Sequence, residues 1–202
     1  MKAKRTDLNV WGWTPPLAAS FSLQSGDATN LTLADDADVG MTIASGAFVN
    51  SDIQRFAYRT LTTPSGDWDM KANFEFEMNT NFQALGFLIR DNTGGRNLSM
   101  QFSGDGTNRV DKGYATSMTA FSARSQINGS NHAGMSWLRL AKVGTNLLFY
   151  VSRNGKQWRL VLTESVTAHL AAAPNRVGFF TRTGTNDLNF AIPYFSLTGT
   201  AV

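Results

Sequence analysis

The chain has 202 residues, of which 42% are hydrophobic and 16% charged, and its 18 basic and 15 acidic residues leave a net charge of +3. The absence of cysteine excludes disulfide bonds and thiolate metal sites, and no apolar run is long enough to span a membrane. The longest basic cluster is Lys2, Lys4 and Arg5, which argues against a nucleic-acid-binding protein, because such proteins concentrate their charge in a stripe or patch. A length of this order fits one large domain.

The first sixteen residues differ in character from the rest, and we treat residues 1–16 as an N-terminal arm and residues 17–202 as a single domain. Pro15 and Pro16 disfavour a helix or a central strand after Trp11 and Trp13. The two tryptophans either pack against the domain or bind a partner protein or a sister subunit. Because no apolar run follows the basic residues, no signal peptide is predicted. The protein is therefore intracellular, has lost its export signal, or leaves the cell by another route such as a virus particle.

Short strands separated by turn signals follow from Phe21 onward. Asn154-Gly155 is a strong hairpin signal, and Pro64–Asp67 is another turn. The single helix candidate, 166–173, is short. Regular strand spacing of this kind predicts an all-β fold, a two-sheet antiparallel β-sandwich. The predicted strands are 30–33, 41–43, 56–61, 68–78, 85–90, 97–102, 137–143, 147–152, 176–183 and 188–197.

Alternation along these strands separates a core face from a second, mixed face. Leu85, Phe87 and Ile89, for example, are apolar and are predicted to lie in the core. Aromatic rings stack on the C–H faces of sugars, and polar side chains bind sugar hydroxyls, so a mixed face on one sheet is typical of a carbohydrate-binding site. The alternative is an ordinary solvated face. The predicted ligand-binding residues are Arg90, Gln101, Trp137, Arg139, Tyr150 and Arg182.

The best candidates for catalysis are Glu75 and Glu77, which lie two residues apart and so share a face of their strand. Retaining glycoside hydrolases need two carboxyl groups about 5–5.5 Å apart. Asn79 stands where a third acidic residue would complete the pattern of alternating carboxylates, so we expect no catalysis and interpret the two glutamates as solvated.

The sequence evidence for a metal site or a catalytic histidine is weaker than that for catalysis by Glu75 and Glu77. Asp35-Asp36-Ala37-Asp38 and Asp105–Asn108 could offer oxygen ligands to calcium, but neither completes a loop motif, so no cofactor is predicted. His132 and His169 have no nucleophile beside them in sequence.

Four segments resemble concanavalin A-like lectin and glucanase sandwich modules, the type found beside bacterial glycoside hydrolases and in phage virion proteins. They are "NFQALGFLIRD" from Asn81, "WLRLAKVGTNLLFYVSRNGKQW" from Trp137, "RVGFFTRTG" from Arg176 and "IPYFSLTG" from Ile192. The resemblance implies a jelly roll of two bent sheets whose concave face often binds carbohydrate. Asn154 and Pro193 depart from the acidic residues that the family has at these places.

Three hypotheses follow. The first is a non-catalytic, lectin-like module, extracellular or part of a virion or phage tail, that attaches to host-surface carbohydrate. The second is a structural virion protein that joins or decorates an assembly, with the arm as its anchor. A homo-oligomer is one form that such an assembly can take. The third is a glycoside hydrolase.

Overall fold

A computed structural model describes residues 18–25, 31–36, 39–47, 53–78, 83–91, 93–104, 108–131, 134–183 and 186–202. Several residues that the sequence analysis considered lie outside the described residues. They are the N-terminal arm with Trp11 and Trp13, His132, and Asn79, which stands at the third position of the carboxylate pattern. The described part is an antiparallel β-sandwich of two seven-stranded sheets, as predicted. No helix within it is long and apolar enough to cross a membrane.

Within the described residues, fourteen strands form the two sheets. Sheet 1 has the order β1-β4-β13-β6-β7-β8-β9, and sheet 2 has the order β12-β11-β10-β5-β14-β3-β2. The strands are β1 Ser22–Ser25, β2 Leu31–Asp36, β3 Gly40–Ser45, β4 Arg55–Thr60, β5 Trp68–Phe76, β6 Gln83–Arg90, β7 Asn97–Gly104, β8 Asn108–Ser117, β9 Ala120–Asn131, β10 Trp137–Val143, β11 Asn146–Ser152, β12 Arg159–Ser165, β13 Arg176–Arg182 and β14 Leu188–Gly199.

The core lies between the sheets and is filled by the apolar sets that alternation predicts. Phe87 and Phe179 of sheet 1 meet Phe74 of sheet 2 with ring centroids 5.4 and 5.9 Å apart. All three rings are buried, and edge-to-face packing of this kind adds to the stabilisation from burial. Local alternation therefore identified the inner face of β5, β6, β7, β10, β11 and β13 correctly.

Four strands, β1, β8, β9 and β12, were not predicted. In β8, Asp111 and Lys112 are adjacent in sequence and both largely withdrawn from water, so the strand has a polar residue on each face and no apolar alternation. The helix candidate at 166–173 is reduced to a 3₁₀ turn, Val166–Ala168, which begins where the Ser165 hydroxyl accepts the Thr167 amide.

Candidate ligand-binding face

The six predicted ligand-binding residues do not share one sheet, so that part of the prediction is wrong. Arg90, Gln101 and Arg182 lie on β6, β7 and β13 of sheet 1. Trp137, Arg139 and Tyr150 lie on β10 and β11 of sheet 2. Each trio faces away from the core, so the two trios lie on opposite outer surfaces of the molecule. Alternation shows only whether a side chain points toward the core or away from it. It therefore cannot distinguish the outer face of one sheet from the outer face of the other.

On sheet 1, the polar side chains are used within the protein. Gln101 is 0% exposed. Its side-chain oxygen accepts the Ser99 hydroxyl, and its amide nitrogen donates to the Ser103 hydroxyl, each at 2.8 Å. A buried amide that is hydrogen-bonded in this way stabilises the sheet, and because Gln101 is fully buried it presents no surface to a ligand.

Arg182 lies over the same face and is only 4% exposed. Its guanidinium carbon is 3.8 Å from the centroid of the Phe121 ring on β9. Between β13 and β9 there are four strand spacings, about 19 Å in a flat sheet. The two side chains can meet only because sheet 1 bends toward its outer face, which is therefore concave and covered by this pair at its centre.

Arg90 is half-buried at the end of β6 and braces the following turn. Its Nη1 donates to the Gly95 carbonyl at 2.6 Å and to the Asn97 side-chain oxygen at 2.7 Å. Burial and the nearby charge of Arg176 lower the pKa of Arg90, although Asp91 opposes this. These contacts assign Arg90 a structural role in the described residues.

On sheet 2, four aromatic side chains form a continuous surface, which we call the aromatic patch: Trp137, Tyr150, Trp158 and Tyr194. Trp137 is its centre and is only 7% exposed. The Trp158 ring stands edge-on to it at a centroid distance of 6.3 Å and 87°. The Tyr194 ring lies on its other side at 5.2 Å. Trp158, Tyr194 and Tyr150 are half-exposed, so they, and not Trp137, offer ring surface to a ligand.

The turn between β11 and β12 holds Trp137 in place. The Ser152 hydroxyl accepts the amides of Asn154 and Gly155, and the Asn154 side-chain oxygen accepts the amides of Lys156 and Gln157. Gly155 has φ +70°, and a Cβ built on it would lie 2.9 Å from the Trp137 indole. Only glycine lets the turn adopt this conformation and rest on the ring.

Arg139 and Tyr150 extend the patch along the sheet. The Arg139 guanidinium carbon lies 4.5 Å from the Tyr150 centroid. Its Nε donates to both oxygens of Asp69 at 3.0 Å, and Nη2 is 2.7 Å from Oδ2. The same carboxylate lies 3.3 Å from Lys71 Nζ. The result is an ordered polar margin beside the rings, with donors at fixed positions.

Glu75 and Glu77, the weak catalytic candidates, line an open groove of about 580 Å³ beside the end of β5. Both are exposed, and the groove is otherwise lined by small and apolar residues of β3 and β14 such as Thr42, Ala44 and Ala191. Nothing in this groove encloses the two carboxylates or withdraws them from water.

Two of the aspartates considered as calcium ligands accept backbone amides. Asp35 accepts the Ala18 amide, and Asp36 accepts the Val39 amide. Asp38 and Asp105 are outside the described residues. Within the described ranges no group of three or more histidine, aspartate or glutamate residues could hold a metal ion. His169 Nε2 lies 3.1 Å from the Ala115 carbonyl oxygen, with which it shares a hydrogen bond.

Sequence reasoning missed Trp158 and Tyr194. Trp158 follows the Asn154-Gly155 turn, and the hairpin that this turn predicts was enough to place Trp158 near Trp137. Tyr194 follows an irregularity in β14, where the register with β5 shifts between Ala191 and Tyr194. Such a shift moves a side chain to the other face and defeats simple alternation.

No family model and no curated protein matches the sequence. Among solved structures, a functionally unknown protein from Saccharomyces cerevisiae superposes with a TM-score of 0.64 at 13% identity, over 92% of this chain and 99% of its own. A seed lectin from Lotus tetragonolobus does so with a TM-score of 0.53 at 13% identity, over 91% and 94%. A xylan β-1,4-xylosidase from Bacillus halodurans C-125 gives 0.60 at 11% identity, and the match covers 86% of this chain but only 35% of that enzyme. Likeness at such low identity concerns the fold: this chain is a concanavalin A-like jelly-roll β-sandwich.

Proposed function

We propose that this protein is a lectin-like module that binds carbohydrate through the aromatic patch of sheet 2. The observation that carries the proposal is the pair of half-exposed rings, Trp158 and Tyr194, held on either side of a buried Trp137. Sugars present apolar C–H faces that stack on such rings. A merely solvated face would not concentrate aromatic side chains at one place. The presence of a lectin among proteins with this fold is in keeping with the proposal.

Arg139, Asp69 and Tyr150 supply the polar contacts in this proposal. Sugar hydroxyls need donors and acceptors in fixed positions, and the Arg139–Asp69 pair provides both. Because the pair is already formed, little side-chain entropy is lost when a ligand binds. The Tyr150 ring beneath Arg139 adds a further stacking surface.

The proposal is tested by measuring glycan affinity by calorimetry for Trp158→Ala and Tyr194→Ala. Stacking of one ring contributes about 1.4 kcal/mol or less, so each substitution is expected to weaken binding by up to about tenfold. Leu23→Ala is the matched control, since Leu23 is 50% exposed but lies on β1 of sheet 1. Unchanged affinity in both aromatic variants would refute the proposed site.

The Gln101→Leu variant distinguishes a binding site on sheet 2 from one on sheet 1. On the present proposal it lowers stability, because the hydroxyls of Ser99 and Ser103 lose their partner, but it leaves glycan affinity unchanged. A folded Gln101→Leu protein with lost binding would move the site to the concave face of sheet 1.

We propose further that the module is not an enzyme. The exposure of Glu75 and Glu77 in an open groove supports this, because glycoside hydrolases require a carboxylic acid whose pKa is tuned by its surroundings. The test is release of reducing sugar from a panel of polysaccharides. Turnover that is lost in Glu75→Gln or Glu77→Gln would overturn it.

We also propose that the module works outside the cell, on a virion or tail, or as an accessory module of a larger protein, as the family resemblance of the sequence implies. Labelled protein is then expected to bind intact cells and to lose that binding when their surface polysaccharide is removed enzymatically. Equal binding before and after the treatment would count against a role in attachment.

A further inference from the structure

Basic residues are concentrated in one stretch of sheet 2. Residues 134–163, which form β10, β11 and most of β12, contain five basic residues and no acidic one. The strand register places two carboxylates of β5 on the outer face near the patch. Asp69 is paired with Arg139, and the exposed Glu75 lies two residues beyond Asn73, which pairs with both Trp137 and Tyr194. The basic excess of residues 134–163 is therefore useful to a ligand only where its cations are exposed and unpaired. The five basic residues are Arg139, Lys142, Arg153, Lys156 and Arg159.

Two of these cations are neutralised or used within the protein. Arg139 is paired with Asp69. Lys142 is only 3% exposed and donates to the carbonyls of Ser65 and Gly66 at 2.7 and 3.1 Å. The charge of Arg139 is offset by Asp69, and Lys142 is buried, so neither is available to pair with an anionic ligand.

Arg153 and Lys156 are different. Both are exposed, and within the described part of the chain no carboxylate lies within ion-pair distance of either. They project from the turn whose Gly155 rests on Trp137. Hydrogen bonds from Ser152 and Asn154 fix the backbone of that turn, so both cations start from ordered positions beside the rings.

We infer that the aromatic patch takes an anionic glycan, whose sugar ring stacks on Trp158 while its carboxylate or sulfate groups pair with Arg153 and Lys156. This inference rests on the proposed function. The physical reason is that two unpaired cations beside a stacking surface reward a ligand that carries both a sugar ring and negative charge. A neutral sugar would gain the stacking alone.

The experiment measures binding of the full chain to a neutral glucan, to polygalacturonate and to a sulfated polysaccharide. Both anionic ligands share the chemistry that the site requires, and comparing them identifies whether carboxylate or sulfate is preferred. We expect either anionic ligand to bind more tightly than the neutral one. The preference should shrink as salt is raised from about 0.02 M to about 0.3 M, because exposed charges are screened over roughly 10 Å.

Arg153→Gln and Lys156→Gln are each expected to weaken anionic binding about three- to fivefold and to leave neutral binding unchanged. Arg96→Gln is the control, since it removes the same charge from an exposed residue of the β6–β7 loop in sheet 1. Trp158→Ala should weaken all ligands.

The outcomes separate the two proposals. Equal affinity for neutral and anionic glycans, unchanged by Arg153→Gln and Lys156→Gln but lost in Trp158→Ala, overturns this inference and leaves the proposed function standing. Absence of binding to any of the three ligands counts against both. Anionic binding that Trp158→Ala does not affect is adsorption by charge alone and also overturns both.

Discussion

Gly155 shows how a single residue positions the candidate site. The turn that it occupies requires φ +70°, and its missing side chain leaves the space that the Trp137 indole fills. Any Cβ at this position would push either the turn or the ring, and Trp137 supports both Trp158 and Tyr194. The geometry of the patch therefore depends on a residue that has no side chain of its own.

Gly155→Ala is predicted to lower the free energy of unfolding by about 2–3 kcal/mol, measured by urea denaturation, and to weaken glycan binding. Gly144→Ala is the matched control. Gly144 also has a positive φ, +58°, but a Cβ there would meet nothing within 4 Å. It should lose only the roughly 1 kcal/mol that the backbone conformation costs. Equal losses in the two variants would mean that the Trp137 contact contributes nothing.

Gln101 and Trp137 show the limit of reading single residues. Both were predicted as ligand-binding because each occupies the non-core side of its strand. In the folded chain Gln101 is buried among serines, and Trp137 supports two other rings without offering much surface itself. The side of a strand on which a residue lies is a local property, whereas its exposure depends on what the rest of the chain places above it.

At the scale of elements, one cluster joins β8 of sheet 1 to β12 of sheet 2. Lys112 Nζ lies 3.0 and 2.9 Å from the two oxygens of Glu164, and the Tyr114 hydroxyl donates to Glu164 at 3.0 Å. All three side chains lie largely between the sheets. Because β8 and β12 lie near or at the margins of their sheets, this cluster closes one side of the sandwich.

The cluster makes the free energy of unfolding depend on pH in the alkaline range. Burial alone would lower the pKa of Lys112, but hydrogen bonds with Tyr114 and Glu164 and the charge of Glu164 outweigh it, and the pKa is raised. Burial raises the pKa of Tyr114 as well, although Lys112 opposes this. Both groups hold their protons more tightly in the folded state. Their contribution is therefore complete below the ordinary values near pH 10 and is lost as pH rises through the higher folded values.

Glu164→Gln is accordingly predicted to lower the free energy of unfolding by about 2 kcal/mol near neutral pH and to flatten its decline between about pH 9 and about pH 11. Urea denaturation across that range is the measurement. Glu77→Gln, the same substitution at an exposed position, should leave both the stability and the slope unchanged. A Glu164→Gln protein with the wild-type slope would show that the cluster does not control the alkaline transition.

At the scale of the whole molecule, β14 completes the fold. It lies between β5 and β3 inside sheet 2, although about 110 and 140 residues separate it from them along the chain. Its buried Phe190, Ile192 and Phe195 each contribute about 2 kcal/mol by leaving water. Even before the two ladders of hydrogen bonds are added, this burial is comparable with the roughly 5–15 kcal/mol that stabilises a typical domain.

A chain ending at residue 183 is therefore predicted to show no cooperative unfolding transition by tryptophan fluorescence and circular dichroism. Removal of residues 1–25 provides the comparison, because it deletes only one described strand, the edge strand β1, which pairs with β4 alone. That protein should unfold cooperatively at a lower urea concentration. A cooperative transition with the wild-type midpoint in the 1–183 chain would contradict the prediction.

The sequence by itself determined the class of the fold, most of the strands and the inner face of β5, β6, β7, β10, β11 and β13. These follow from alternation and turn residues, which act over a few positions. It could not show that β13, β6 and β7 belong to one sheet and β10 and β11 to the other, because strand order depends on pairing between distant segments. Tertiary structure alone decided that Gln101 and Arg182 are covered, and that Trp158 and Tyr194 flank Trp137 at the surface, since both results depend on which strands become neighbours.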